Sequence, residues 1–195
     1  GSDPDLRIDG AAPFVHVDVV PDADPSRLYF AKSFIYPLFA APFIRLFGTN
    51  GFLVLHVLML LASFVCAYAF LVARSQPAAA LVFALAFVFV SVAPVSLVWL
   101  TPALFNLGLV TLGYFLWPYK EVAGPRTPAG EARSAWLISP RTDLVAAVWL
   151  GLATFSKPTH VLLMFPVLGL FALRGWWRRG FVCGVVFSAV VLGLF

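Results

Sequence analysis

Phe52–Ala73, FLVLHVLMLLASFVCAYAFLVA, runs for 22 residues without a lysine, arginine, aspartate or glutamate. At 1.5 Å per residue such a run makes a helix ~33 Å long, enough to cross the hydrocarbon of a bilayer. The rest of the chain has the same bias. Of its 195 residues 62% are hydrophobic and 11% charged, and the mean hydropathy is +0.95. An average soluble domain carries roughly a quarter charged residues. That much apolar surface cannot be hidden from water at this length, so the composition predicts a helical membrane protein.

Downstream of this run, Arg74-Ser75-Gln76-Pro77 reads as a short turn. Ala78–Tyr119 is too long for one crossing. Pro94 and the cluster Trp99-Leu100-Thr101-Pro102 divide it into two helices joined by a tight hairpin. Lys120–Thr142 is a polar loop with four basic residues. Leu144–Phe155 and Thr159–Leu173 are short apolar segments on either side of Ser156-Lys157-Pro158. Arg174–Gly180 is basic, and a last span starts at Phe181.

Upstream, residues 1–25 are polar. Phe14–Val20 alternates valines with His16 and Asp18, the period of an extended segment or short strand. Pro21–Pro25 is a turn with Asp24 placed to cap a helix and Pro25 at its first position. Arg27–Phe47, RLYFAKSFIYPLFAAPFIRLF, has helical periodicity interrupted by Pro37 and Pro42. Tyr29, Lys32 and Tyr36 share one stripe of that helix against a background of Leu, Phe, Ile and Ala. An amphipathic segment lying in the membrane interface fits this pattern, with its aromatic rings at headgroup depth. Gly48–Gly51 breaks it.

Charge distribution sets the expected orientation. Arg74, Lys120, Arg126, Arg133, Arg141, Arg174, Arg178 and Arg179, eight in all, fall on one side of the spans. The other side receives five basic residues, and residues 1–50 hold six acids against four bases. Positive charge favours the cytoplasmic side, so residues 1–50, Trp99–Pro102 and Lys157 are expected to face out. The +4 formal charge therefore belongs to orienting loops, and no nucleic-acid partner is expected. The two cysteines, Cys66 and Cys183, lie inside apolar runs and read as inert thiols. Both ends read as cut, since no hydrophobic segment precedes Asp3 and the apolar run at Val182–Phe195 has no polar flank. At least one helix is expected before residue 1 and more after residue 195.

The expected fold is thus all-α, a polytopic transmembrane helical bundle. Residues 1–51 form a large outer loop containing an amphipathic interfacial helix, and residues 52–195 form the membrane core. Candidate chemistry concentrates on the outer side. Asp3 and Asp5, separated by Pro4, can accept a proton or hold a divalent cation, or simply be solvated loop charges. Lys32, between Tyr29 and Tyr36, suits a lipid phosphate, or snorkels to the headgroups. Lys157 breaks an apolar hairpin, with His160 beside it. The pair can share an anionic ligand, although a lone histidine is more often a structural hydrogen-bonder, the reading that also suits His16 and His56. No His/Cys/carboxylate cluster has metal-ligand spacing, so no metal site is assigned. The sequence has no phosphate-binding P-loop, no GxSxG and no GxGxxG.

Taken together these stretches resemble the GT-C superfamily of polytopic glycosyltransferases, in particular bacterial relatives of the protein mannosyltransferases and lipid A aminoarabinose transferases. The resemblance rests on the acidic opening Ser2-Asp3-Pro4-Asp5, the Lys32–Pro37 stretch with its Lys-x-x-x-Tyr-Pro pattern, and the hairpins Trp99–Asn106 and Gly151–Pro158. It implies a multi-pass enzyme of the inner (plasma) membrane that takes a sugar from a polyprenyl-phosphate donor on the outer, periplasmic face. Membrane lipids would surround it, and the acceptor is not specified. Asp3 or Asp5 would be the general base, while Lys32 and Lys157, with Tyr29, Tyr36 and His160 nearby, would hold the donor phosphate. The chain departs from the family in carrying Asp-Pro-Asp where two adjacent acids are usual, and Ala103 where an acid often follows the Thr-Pro. A transporter or flippase-like protein for a lipid-linked substrate, or a non-catalytic membrane scaffold, is the alternative. A transporter calls for inverted repeats and ionisable residues at the bilayer midplane.

Overall fold

The computed structural model describes residues 34–91, 93–99, 101–123 and 135–194. Asp3, Asp5, Tyr29, Lys32 and the expected strand at Phe14–Val20 lie outside them. Among the described residues every regular element is a helix, and those helices belong to one compact unit, Ile35–Phe195. In order they are α1 (Ile35–Phe47), a 3-10 turn (Gly48–Asn50), α2 (Gly51–Val72), α3 (Pro77–Phe89), α4 (Ala93–Val98), α5 (Pro102–Leu116), α6 (Tyr119–Val122), α7 (Ala135–Ile138), α8 (Arg141–Ser156), a second 3-10 turn (Pro158–Leu163), α9 (Met164–Leu173) and α10 (Trp177–Leu194).

Prolines set several of these boundaries. Pro77 and Pro102 open α3 and α5, each preceded by an extended residue (Gln76, ψ 142°; Thr101, ψ 150°). This is the position where a missing N–H costs nothing and a fixed φ helps. Pro158 acts in the opposite sense. It forces Lys157 into extended backbone (φ −144°, ψ 104°), which ends α8. The break at Ser156-Lys157-Pro158 and the division at Trp99–Pro102 are found in the structure, but where two helices were expected a short third one, α4, lies between α3 and α5 and contains Pro94.

The stretches Ile35–Val72 and Trp177–Leu194 are long and apolar enough to cross a membrane. The first is not a straight rod. Gly48 turns with φ +60°, and α2 doubles back so closely that a Cβ on Gly51 would strike the backbone of Phe43 and Ile44. Only a residue without a side chain fits there. The chain reversal explains why the compact unit starts at Ile35 rather than at residue 52. Helix α1 uses one face, Ile35, Phe39, Ala40, Phe43 and Ile44, to pack against Leu55 of α2, Phe105 and Leu109 of α5, and Ala153 and Phe155 of α8. Pro42 sits on the exposed side, where its ring and lost donor are tolerated.

Helix α5 packs between α2 and α8, and α8 in turn packs between α5 and α10. Glycines mark each seam. A Cβ on Gly108 would lie 2.8 Å from Sδ of Met59, one on Gly113 3.0 Å from Cδ2 of Leu150, and one on Gly151 2.9 Å from Cβ of Val190. Small residues at helix–helix contacts are how bundles in lipid gain van der Waals contact without a hydrophobic drive between helices. A second core joins Leu116 and Trp117 to Ala146, Ala147, Leu150, Met164, Val167, Phe171, Cys183 and Phe187. Outside these seams large apolar side chains face outward, among them Leu61, Phe83, Phe89, Phe181, Val185 and Leu192. Such a surface suits hydrocarbon better than water.

Candidate functional site

The helices run antiparallel in such a way that the polar side chains separate to the two ends of the bundle. At one end α6 and the start of α10 meet the start of α8 at Asp143. Its carboxylate, 3% exposed, accepts from Lys120 on one oxygen and from Arg179 on the other. Lys120 also reaches Thr142 Oγ1 at 3.3 Å, and Thr142 donates to the Ser139 carbonyl at 2.8 Å. Beside this triad Arg174 pairs with Glu121 at 2.7 Å, and Arg74 donates to the Glu121 carbonyl at 3.4 Å. The side chains of Arg174 and Arg179 lie 5.1 and 4.8 Å from the ring centre of Trp176.

Composition alone gave no hint of this network, because Asp143 reads as one more polar residue before an apolar run. Its position has a clear electrostatic logic. Arg178 and Arg179 occupy the first turn of α10, where the helix dipole disfavours cations. Asp143, in the first turn of α8, is favourably placed for its own helix and offsets that charge. Arg179 is paired in this way within α10, which begins at Trp177 rather than at Phe181.

The opposite end holds the described members of the expected outer site. Tyr36 is half-buried against the bundle, while Tyr29 and Lys32 of its expected stripe lie outside the described residues. The Tyr36 hydroxyl is 2.9 Å from Nε2 of His56, and its ring packs against Phe52 and Phe105 at 5.5 Å each. Helix α1 turns this face toward the bundle because Ile35 and Phe39 flank it. His160 Nδ1 donates to the Ala153 carbonyl at 3.1 Å, which leaves Nε2 as an acceptor. Burial lowers the affinity of the His160 imidazole for a proton, the Ala153 bond opposes this, and the nearby Lys157 charge adds to it. Lys157 itself is exposed, at the C-terminus of α8, and makes no ion pair with any described residue.

Three polar atoms are buried near this end without a hydrogen-bond partner among the described residues: Nδ1 of His56, Oδ1 of Asn106 and Oγ1 of Thr154. Buried polar groups in native proteins are nearly always paired, so the oxygens of Asn106 and Thr154, with the His56 ring nitrogen, stand out as places where a hydroxylated ligand would find partners. Asn106 ends the Trp99–Asn106 hairpin and Thr154 lies within Gly151–Pro158, so both sat inside stretches the sequence had singled out, with no role attached. The two described carboxylates, Glu121 and Asp143, are both engaged in ion pairs at the far end. Among the described residues no three His, Cys, Asp or Glu side chains gather as a metal site. Compared with protein-family models, curated proteins and solved structures, the chain matches none of them.

Proposed function

We propose that the chain is the membrane core of a polytopic glycosyltransferase that moves a sugar from a polyprenyl-phosphate donor to an acceptor hydroxyl at the outer face of the membrane. The observation that carries this reading is the polar division of the bundle. One end is locked in ion pairs. The other holds the ammonium of Lys157 and the oxygens of Asn106 and Thr154, none of them paired among the described residues, and the acceptor nitrogen of His160. A cation serves the donor phosphate and the leaving charge, while neutral acceptors serve sugar hydroxyls. The general base is Asp3 or Asp5 of the acidic opening, as the motif resemblance implies.

Binding of a polyprenyl phosphate to the protein in nanodiscs tests this arrangement. Lys157→Ala should weaken binding roughly tenfold, the worth of one charge-assisted hydrogen bond, and Lys157→Arg should restore most of it. Equal binding by all three proteins removes Lys157 from the site.

A further inference from the structure

We infer that the groove between α9 and α10 is a site for one anionic phospholipid, with an acyl chain along the groove and the phosphate at Arg178. The inference rests on the reading that these helices stand in a membrane. It concerns a different place from the sugar-transfer site, at the ion-paired end of the bundle.

The groove, of about 430 Å³, is lined by Phe165, Leu168, Gly169, Phe181 and Trp177, with Phe171 and Gly180 at its base. Its walls are almost wholly apolar, as an acyl chain requires. It is open along Gly169, because a Cβ built there meets nothing within 4 Å. At its end stands the turn Arg174-Gly175-Trp176-Trp177-Arg178-Arg179, which has three cations and no acid. The turn is fixed. Gly175 adopts φ +70°, its N–H donates to Ala172, and the Trp176 N–H donates to Phe171 at 2.8 Å, the bonding of a Schellman cap.

The three cations are not equivalent. Arg174 is held by Glu121 and Arg179 by Asp143, and both lie against Trp176. Arg178 is exposed, has no ion pair with a described residue, and sits one turn before the groove residue Phe181 on α10. An apolar groove next in sequence to a guanidinium that has no ion pair among the described residues, with the Trp177 indole in its wall, matches a lipid with one negative headgroup.

Fluorescence quenching in bilayers tests the inference. The protein is placed in phosphatidylcholine bilayers containing a minor, equal fraction of brominated acyl chains carried on either phosphatidylglycerol or phosphatidylcholine. Subtracting the signal of Trp177→Phe isolates Trp177. The phosphatidylglycerol-borne bromine should be enriched about fivefold at Trp177, the worth of one basic residue near a membrane surface. Arg178→Gln should abolish the enrichment, and so should Gly169→Leu, which fills the groove in open space. Equal quenching by the two lipids overturns the inference. So does enrichment that survives Gly169→Leu, which would reduce the effect to surface charge. A protein that no bilayer-borne bromine quenches at all contradicts the membrane reading itself.

Discussion

The hydroxyl of Tyr36 lies 2.9 Å from Nε2 of His56, although twenty positions separate the two residues. In a straight helix they would be ~30 Å apart, so this bond ties the reversed α1 to α2. Tyr36→Phe keeps the ring contacts with Phe52 and Phe105 and removes the bond to His56. The expected loss is about 1 kcal/mol, in the range of hydrogen bonds between membrane helices, read as a lowered Tm in detergent. Tyr36→Ala should lose distinctly more. Equal Tm values for wild type and Tyr36→Phe would mean that packing alone holds α1.

The Asp143 triad predicts an asymmetry. Asp143→Asn leaves Lys120 buried without its counter-charge and should destabilise by about 3–5 kcal/mol. Lys120→Gln should be milder, because Asp143 keeps Arg179. Combining Asp143→Asn with Lys120→Gln should recover much of the loss. Thermal unfolding of the three variants decides it, and a neutral Asp143→Asn would contradict the account.

The seam between α8 and α10 has no spare volume at Gly151. Gly151→Leu should force the helices apart, with a loss on the order of 1–3 kcal/mol from overpacking. Gly169→Leu, an identical exchange facing open space, should leave Tm unchanged. A similar response of the two glycines would mean that the seam does not limit stability.

His160 carries a pH prediction. Burial lowers its proton affinity below the ordinary value of 6.5, with Lys157 adding to the effect. The folded protein therefore binds this proton less readily than the unfolded chain does. The stabilisation from neutral His160 is complete above pH 6.5 and is lost as pH falls through the folded value. The Tm advantage of wild type over His160→Gln should be largest near pH 8 and should shrink toward pH 5. An advantage that grows on acidification would reverse the sign.

Local chemistry made much of this fold legible. The uncharged run at Phe52–Ala73 became Gly51–Val72, and the prolines at 77, 102 and 158 placed their boundaries because a ring without an N–H acts within one or two residues. Long-range pairing was not legible. Periodicity put Tyr36 on a helix but did not supply its partner His56, since no local signal tells that Gly48 and Gly51 fold α1 back onto α2. For the same reason the sequence attached no role to Asp143, whose partners Lys120 and Arg179 meet it only in the fold. At the candidate site Lys157 stood out as a charge in an apolar run. Asn106 and Thr154 did not, because their significance lies in being buried without partners.

The most direct test of the central claim is sugar release from a polyprenyl-phosphate donor by the protein in nanodiscs, comparing wild type with Asp3→Asn, Asp5→Asn, Lys32→Ala and Lys157→Ala. The account predicts that one Asp→Asn change abolishes transfer while donor binding persists, and that each lysine change weakens donor binding. Transfer undiminished in all four variants, or no transfer by the wild type, would contradict it.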